Sequence, residues 1–511
     1  MARAGGNRVV KVGLLLAGAA LAVQSASAET LREALAKAYA SNPTLTGARA
    51  QLRATDEGVP IARAAGRPSL DANGQVIDNV VQANNNFLNP ERVGNAQVQL
   101  SFPLYQGGAV RNAVRAAETR VEAGRAQLRG AEANTFTNVV AAYMNVIRDE
   151  AIVGLNIQNV RILDTNLAAS RDRFQVGDLT RTDVAQSEAR LALARAQLQQ
   201  AEAQLISSRE NYIAVIGTPP TDLQQPPMLP RLPETAQVAV TEALDSNPQL
   251  LAARTSTEAT RFDVGSARAG RLPRVAAVTS GNYVNYLGSL PRSNNGIPID
   301  NALTSAAIGL QFTVPLFQGG RPAAQVRQAE ALRAQALENA TATERAVISQ
   351  ARSAFAVNRS SQQVIASAEA AVAANKLSLE GVRAENSVGT RTILDILNAE
   401  QELLNSQVTL VTARRDAYVA GFALLAAMGR AEARDLGLDG GSLYDPTSNY
   451  NRVRGRFFDF DDDGLPEAVA TSTAGTPAQN AAVRPPVDPA LKSDVDRGPA
   501  LTTGASSPNR R

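Results

Sequence analysis

The charged residues with the most regular spacing stand in two similar turns of the chain. Both turns follow the pattern Val-Gly-x-x-Thr-x-x-Asp, at 176–183 and at 388–395. Asp183 and Asp395 end the two patterns, and Arg391 precedes Asp395 by four residues. Carboxylates at such positions can accept backbone hydrogen bonds where a helix begins.

The local chemistry of each turn predicts two helices joined by a tight connection. Gly177 and Gly389 suit the left-handed conformation that ends a helix. Thr180 and Thr392 would each begin the next helix, and an aspartate three residues later would complete a capping box. Helix capping therefore explains the spacing of both aspartates.

Catalytic and metal-binding residue sets are missing from the sequence. The chain has no Cys and no His, which excludes disulfides, thiol nucleophiles, His-based triads and the usual zinc sites. The formal charge of +3 includes three basic residues in the first 28, so the remainder is neutral and carries no basic-aromatic patch for nucleic acid. We expect no enzymatic activity, no cofactor, no metal and no nucleic-acid partner.

An internal duplication runs through the chain. Ser-Asn-Pro at 41–43 recurs at 246–248, an offset of 205 residues, and Pro-Leu-(Tyr/Phe)-Gln-Gly-Gly at 103–108 recurs at 315–320, an offset of 212. The two turns keep the offset of 212. Because the matched residues are Pro and Gly in the same order, they indicate two structural repeats.

Each repeat has the same predicted elements. A leading helix (about 30–65 and about 236–270) precedes two strands, and a very long helix, a turn and a returning helix follow. No Pro occurs between Pro103 and Pro219 or between Pro322 and Pro446, which permits helices of exceptional length. A continuous helix from Gly108 to the first turn would be about 100 Å long.

The predicted strands have one apolar and one polar face. Ala96, Val98, Leu100 and Phe102 alternate with polar residues, and the second repeat has the same alternation. Four strands per chain cannot close a barrel, and an open sheet edge cannot lie in lipid. Strands that cross a membrane would therefore have to come from several chains.

The composition divides the chain into five segments. Residues 1–28 have a basic start, a short apolar run and Ala-Ser-Ala, which predicts a secretory signal peptide. The repeats occupy 29–235 and 236–438. Residues 439–466 mix aromatics with charge and are expected to pack along the helices, and 467–511 are expected to be disordered.

From about Leu31 to Leu438 the chain resembles the TolC family of outer-membrane efflux and secretion proteins. The paired Pro-Leu-(Tyr/Phe)-Gln-Gly-Gly motifs and the stretch from Ser387 to Ala399 carry the resemblance. It implies a mixed α and β membrane protein of the Gram-negative outer membrane. Three chains would form a twelve-stranded β-barrel, four strands from each, continued by an antiparallel α-helical coiled-coil barrel across the periplasm.

The resemblance also implies where the gate and the docking surface lie. The gate would involve Asp395, Arg391, Asp183, Thr182 and Asn398, with Arg391 pairing with Asp183 of a neighbouring helix. Asn398 replaces a second acidic residue of the best-known relatives, and Asn386 replaces an aromatic gate residue. The adaptor-docking tips would be Gly177, Asp178, Leu179, Gly389 and Thr390.

The implied function is a passive exit duct for secreted protein or small toxic compounds. Its implied partners are two further copies of the chain, a periplasmic adaptor, an inner-membrane transporter of the ABC or RND type, and outer-membrane lipid. The alternative is a periplasmic coiled-coil scaffold or adaptor without a membrane barrel. That alternative explains the helices and the signal peptide, but not two strand pairs with apolar and polar faces.

Overall fold

The computed structural model describes residues 28–81, 90–229, 232–290, 293–294, 297–298, 300–438 and 443–483. The predicted signal peptide lies outside the described residues, apart from its last residue. The same is true of the stretch 484–511 in the predicted tail.

Each half of the chain begins with short helices. They are α1 (Leu31–Ser41), α2 (Pro43–Asp56) and α3 (Gly58–Ala64) in the first half, and α6 (Ala236–Ser246) and α7 (Pro248–Ala269) in the second.

The repeated Ser-Asn-Pro motif positions these helices. Asn42 caps α2 by accepting a hydrogen bond from Thr44 N at 2.9 Å, and its amide donates to the carbonyl of Val215 at 2.7 Å. Asn247 caps α7 in the same way and donates to the carbonyl of Ala427 at 2.9 Å. A single Asn thus starts one helix and ties it to the end of a returning helix in each half.

Four long antiparallel strands form one sheet in the order β1-β2-β3-β6. They are β1 (Ser69–Asp78), β2 (Arg92–Tyr105), β3 (Arg274–Asn285) and β6 (Ala302–Thr313), and a small hairpin of β4 (Ser293–Asn294) and β5 (Ile297–Pro298) lies between the last two. Leu70 pairs with Leu100 in the first hairpin, and Val275 pairs with Phe312 in the second. These are the same two positions under the offsets of 205 and 212 residues.

The long helices follow the strands. They are α4 (Ala109–Gln175) and α5 (Arg181–Ile216) in the first half, and α8 (Arg321–Ser387) and α9 (Ile393–Ala427) in the second. Both α4 and α8 have 67 residues and begin after a glycine with positive φ, Gly108 at 82° and Gly320 at 80°. Within the described residues, no helix is long and apolar enough to cross a membrane.

The helices lie side by side, with α4 and α9 in the middle. Toward the turns, α4 packs against α5 and α9, and α9 packs against α8. Nearer the strands, α7 lies between α4 and α8. The largest apolar core surrounds Phe136, Tyr143, Tyr212 and Phe422, where α1, α4, α5 and α9 meet. The sheet and the turns lie at opposite ends of α4 and α8.

The C-terminal segment packs along these helices. The short helix α10 (Ser448–Val453) follows the second half, and the Asn449 amide donates to the buried Asp56 carboxylate at 2.8 Å. The segment beyond 466 is expected to be disordered, and the structure shows contacts with the helices at its last described residues, 479–483. Ala481 and Val483 pack against the largest core, and Arg209 donates to the carbonyls of Asn480 and Ala482 at 2.6 and 3.0 Å. Two apolar side chains and the neighbouring backbone groups make these contacts, although the composition is polar.

Two truncations separate the packed part of the tail from the rest. A chain ending at Val483 should keep its thermal stability, because 484–511 has too little apolar content to pack. A chain ending at Ala470 should lose about 1–3 kcal/mol, because it loses the contacts of Ala481 and Val483 and the hydrogen bonds from Arg209. Thermal unfolding of the detergent-solubilised protein measures both. Equal melting temperatures for the two truncations would show that 471–483 contributes nothing.

Candidate gate and docking tips

The two turns have the same backbone geometry. Gly177 and Gly389 both have φ of 84°, and no heavy atom lies within 4 Å of a Cβ built at either position. Glycine is therefore favoured by the backbone conformation and not by crowding. The Asp178 amide donates to the Arg173 carbonyl at 2.9 Å, which ends α4 with a hydrogen-bonded turn.

Both aspartates cap the helices that follow. The Asp395 carboxylate accepts from the backbone N–H of Thr392 at 3.0 Å and from its hydroxyl at 2.8 Å, and Asp183 does the same with Thr180 at 2.9 and 2.7 Å. These hydrogen bonds hold the pKa of both carboxyls below the usual range. The two caps therefore stabilise the turns at neutral pH, and they weaken as the pH falls through these lowered pKa values.

Arg391 forms its ion pair with Glu385, across the second turn. Its Nε donates to the Glu385 carboxylate at 2.8 Å, and this hydrogen bond raises the pKa of the guanidinium. The amide of Asn386 donates to the Arg391 carbonyl at 2.7 Å, so it supports the turn. The sequence analysis did not identify Glu385, because its importance depends on a contact across the turn.

Asn398 connects the two helical pairs. Its side-chain oxygen accepts from Arg190 on α5 at 2.6 Å. Thr182 is exposed in the first turn of α5, next to Asp183. Thus the structure brings Asn398 near the first-half helices and keeps Asp395, Arg391 and Asp183 close to the two turns.

A buried polar network joins α4, α8 and α9 close to the second turn. The sequence analysis did not identify it. The Asn166 amide on α4 lies 3.0 and 3.1 Å from the two carboxylate oxygens of Glu400 on α9. Arg383 on α8 donates to the same carboxylate at 3.0 Å. Glu400 is only 5% exposed, so this network links three helices in a region of low water access. Glu188 occupies the position of Glu400 at the offset of 212 residues, and this match is a signal in the sequence that could have identified the network.

The first-half counterpart of this ion pair is exposed. Arg171 and Glu188 occupy the positions of Arg383 and Glu400 at the offset of 212, and they pair at 2.7 Å. Their side chains are 57% and 48% exposed, against 22% and 4% for Arg383 and Glu400. The same pair of residue types therefore has two environments in one chain.

The residues at the tips of the two turns are mostly exposed. Gly177, Asp178, Gly389 and Thr390 are exposed, and Leu179 is half-buried. Val176 and Val388 are 80% and 76% exposed, one at each tip. Within the described residues, no group of three or more acidic side chains could hold a metal ion.

Comparisons with known proteins agree with this architecture. The sequence model of the family described as "Outer membrane efflux protein" matches 34–218 and 239–430. The outer membrane efflux protein BepC of Brucella suis is 34% identical over 452 residues, which is 88% of this chain and 96% of that protein. The outer membrane protein TolC of Escherichia coli is 27% identical over 450 residues, 86% of this chain and 89% of that one.

A solved structure has the same fold. The CmeC outer membrane channel of Campylobacter jejuni superposes with a TM-score of 0.68 at 18% identity, over 83% of this chain and 89% of that one.

The two environments of the Arg–Glu pair can be tested with matched variants. Glu400→Gln should destabilise the protein by about 2–3 kcal/mol, because it leaves the mostly buried Arg383 without its counter-charge. Glu188→Gln should cost at most about 1 kcal/mol, because its ion pair is exposed. Thermal unfolding compares the two variants. A larger loss for Glu188→Gln would contradict the assignment of the buried network.

Proposed function

Since this chain belongs to the outer membrane efflux protein family, it is an outer-membrane exit duct for exported substrates, and we propose that three copies assemble the duct. The proposal extends to a twelve-stranded barrel, a helical tunnel and an internal duplication. Passage is passive, because the duct only has to offer a continuous aqueous path. The copies, the adaptor and the inner-membrane transporter are the proposed partners.

The observation that carries this proposal is the two-faced sheet. On one face, cross-strand neighbours are apolar or small, and they include Leu70, Ala72, Val98, Leu100, Phe102, Ala277, Ile308, Leu310 and Phe312. Ile308 is 90% exposed and Phe312 is 68% exposed, so nothing in the described chain covers this face. An apolar face without a protein cover fits the hydrocarbon of a bilayer.

The opposite face is polar. Its cross-strand neighbours include Asp71, Asn73, Gln75, Gln97, Gln99, Ser280, Asn282, Ser305 and Gln311. The four long strands have 10, 14, 12 and 12 residues, and a strand needs about 9–11 residues to cross the hydrocarbon layer. A water-filled interior is consistent with this face.

Closure of the sheet requires other chains. The strands β1 and β6 are the two edges of the sheet, and their outer backbone groups cannot remain unpaired in lipid. Four strands are too few for a barrel, whereas three copies supply twelve. Pairing of β6 with β1 of the next copy then removes every edge. Helices of 67 residues, each about 100 Å long, would continue this barrel as the tunnel.

The mass of the purified protein tests this assembly. Native mass spectrometry from detergent should give three chains per particle, with the boiled, denatured sample as the monomer reference. A particle of one chain that remains folded in detergent would refute the shared barrel.

We also propose that the tips form the gate and the docking surface. In a threefold assembly, symmetry brings three copies of Asp395 toward one axis, where the carboxylates would repel each other and attract cations. Arg391 would break its ion pair with Glu385 and form one with Asp183 of a neighbouring helix, which would help to close the opening. Such exposed pairs are weak, about 0–1 kcal/mol each, which suits a gate opened by a docked adaptor. The adaptor would contact Gly177, Asp178, Leu179, Gly389 and Thr390.

Charge and capping at Asp395 can be separated by two variants. Asp395→Asn should abolish most of the block of potassium current by divalent cations in planar bilayers. It removes the charge and leaves a side-chain oxygen that can still cap α9. Thr392→Ala should keep the block, because it removes the hydroxyl that caps α9 and leaves the charge of Asp395. Unchanged block in Asp395→Asn would show that this carboxylate only caps the helix.

A further inference from the structure

Several apolar side chains of the C-terminal segment are exposed close together. Phe457, Phe458 and Phe460 are 56%, 80% and 98% exposed, and Leu465 is 95% exposed. The rings of Phe457 and Phe458 contact each other edge to face, with 5.7 Å between their centroids. A group of exposed aromatic side chains on a folded chain indicates a surface that a partner covers. We call the stretch 452–465, which carries these side chains, the aromatic loop.

Ion pairs close the aromatic loop. Arg452 donates to both carboxylate oxygens of Asp463 at 2.8 Å, and Arg456 donates to the same carboxylate at 2.8 Å. Arg456 also donates to the Asp461 carbonyl at 3.1 Å. A bidentate pair of arginine and carboxylate has a defined geometry. The three phenylalanines therefore lie in the middle of a loop whose two sides are held together.

The aromatic loop is tied to the end of the sheet. Arg67 donates to the Arg456 carbonyl, and its guanidinium lies over the Phe457 ring at 5.2 Å from the centroid. Arg67 stands two residues before Ser69, the first residue of β1, and two residues of extended chain span about 7 Å. The loop thus lies close to the end of the sheet from which β1 starts.

The apolar face of the sheet extends to the same end. The first residue of β1 pairs with Ser101, and β2 continues beyond that pair to Tyr105. Gln106 then donates to the Ala65 carbonyl at 2.9 Å, so the end of β2 lies beside the residues that precede β1. Phe102, on the apolar face, is 41% exposed in this stretch. The aromatic loop therefore lies where the face that we propose to be in lipid comes to its end.

The charges of the aromatic loop balance. With Arg67 it has four arginines and four aspartates, so its net charge is zero: Arg67, Arg452, Arg454, Arg456, Asp459, Asp461, Asp462 and Asp463. A neutral surface is not repelled by phospholipid headgroups. Apolar rings on such a surface can enter the boundary between headgroups and acyl chains.

We propose that the aromatic loop is a membrane anchor, which inserts Phe458 and Phe460 into the phospholipid leaflet on the helix side of the barrel. The inference rests on the outer-membrane barrel proposed above and adds a second contact with lipid. Aromatic side chains are typical of the level at which a membrane protein leaves the hydrocarbon. Because the loop is tied to Arg67, just before β1, its insertion fixes the depth of the sheet and of the helices below it.

Single tryptophans test the insertion, because the chain has no tryptophan of its own. The full-length Phe458→Trp protein is placed in phosphatidylcholine vesicles, and its fluorescence should lose most of its intensity when phosphatidylcholine with brominated acyl chains replaces the ordinary lipid. Leu310→Trp, on the apolar face of β6, is the positive control and should be quenched as well. Val388→Trp, at a tip position that is 76% exposed, should keep its emission.

The controls separate failure of the anchor from failure of the barrel. Quenching of Leu310→Trp without quenching of Phe458→Trp would overturn the anchor and leave the barrel intact. In that case, emission at short wavelength would show that a neighbouring copy covers the loop, and quenching by acrylamide would show that the loop lies in water. Absence of lipid quenching at both positions would contradict the barrel as well as the anchor.

Matched variants test whether the ion pairs position the rings. In the Phe458→Trp background, Asp463→Asn removes the charge that holds Arg452 and Arg456, so it should reduce quenching by the brominated lipid. Asp462→Asn should leave the quenching unchanged, because Asp462 forms no ion pair within the part of the chain that the structure describes. Equal quenching in the two variants would overturn the role of the ion pairs in presenting the anchor.

Discussion

The rest of the structure depends on the rule that backbone polar groups in lipid must find hydrogen-bond partners. The four-stranded sheet has an uncovered apolar face and two open edges, at β1 and β6. Such a sheet cannot enter a bilayer alone, because water is absent there to satisfy the edge strands. Closure with other copies, as proposed above, would satisfy both edges at once, and it would also fix where the helices attached to those strands meet.

In the helical part, matching elements of the two halves are unequally buried. Its two halves carry matching elements, yet α4 lies inside the single chain and α8 lies at its edge. The buried Asn166–Glu400–Arg383 network and the exposed Arg171–Glu188 pair are two versions of one contact. The sequence thus places the same pair of residue types in a buried environment in the second half and in an exposed environment in the first.

Much of this architecture could be predicted from the sequence because its signals are local. Missing prolines permitted long helices, alternation indicated the strands, and Gly and Thr marked both turns. Contacts between distant segments could not be predicted in this way. Asn398 pairs with Arg190, and Ala481 packs on the largest core, and both contacts depend on how helices lie side by side. The pair of Arg391 with Glu385 depends instead on the shape of the turn between them. The tail shows the limit most clearly, since its polar composition indicated disorder although two small apolar residues and backbone carbonyls hold 479–483 to the helices.

The central claim is that one face of the sheet lies in lipid and the other in water. Single cysteines placed along β6 test it directly, since the chain has no cysteine of its own. In the protein reconstituted into lipid vesicles, a charged, membrane-impermeant thiol reagent should label cysteines at Ser305, Gly309 and Gln311. It should spare those at Ala306, Ile308 and Leu310, which a lipid-borne quencher should reach when they carry a fluorophore. Labelling without alternation along β6, or quenching of both sets alike, would contradict the account.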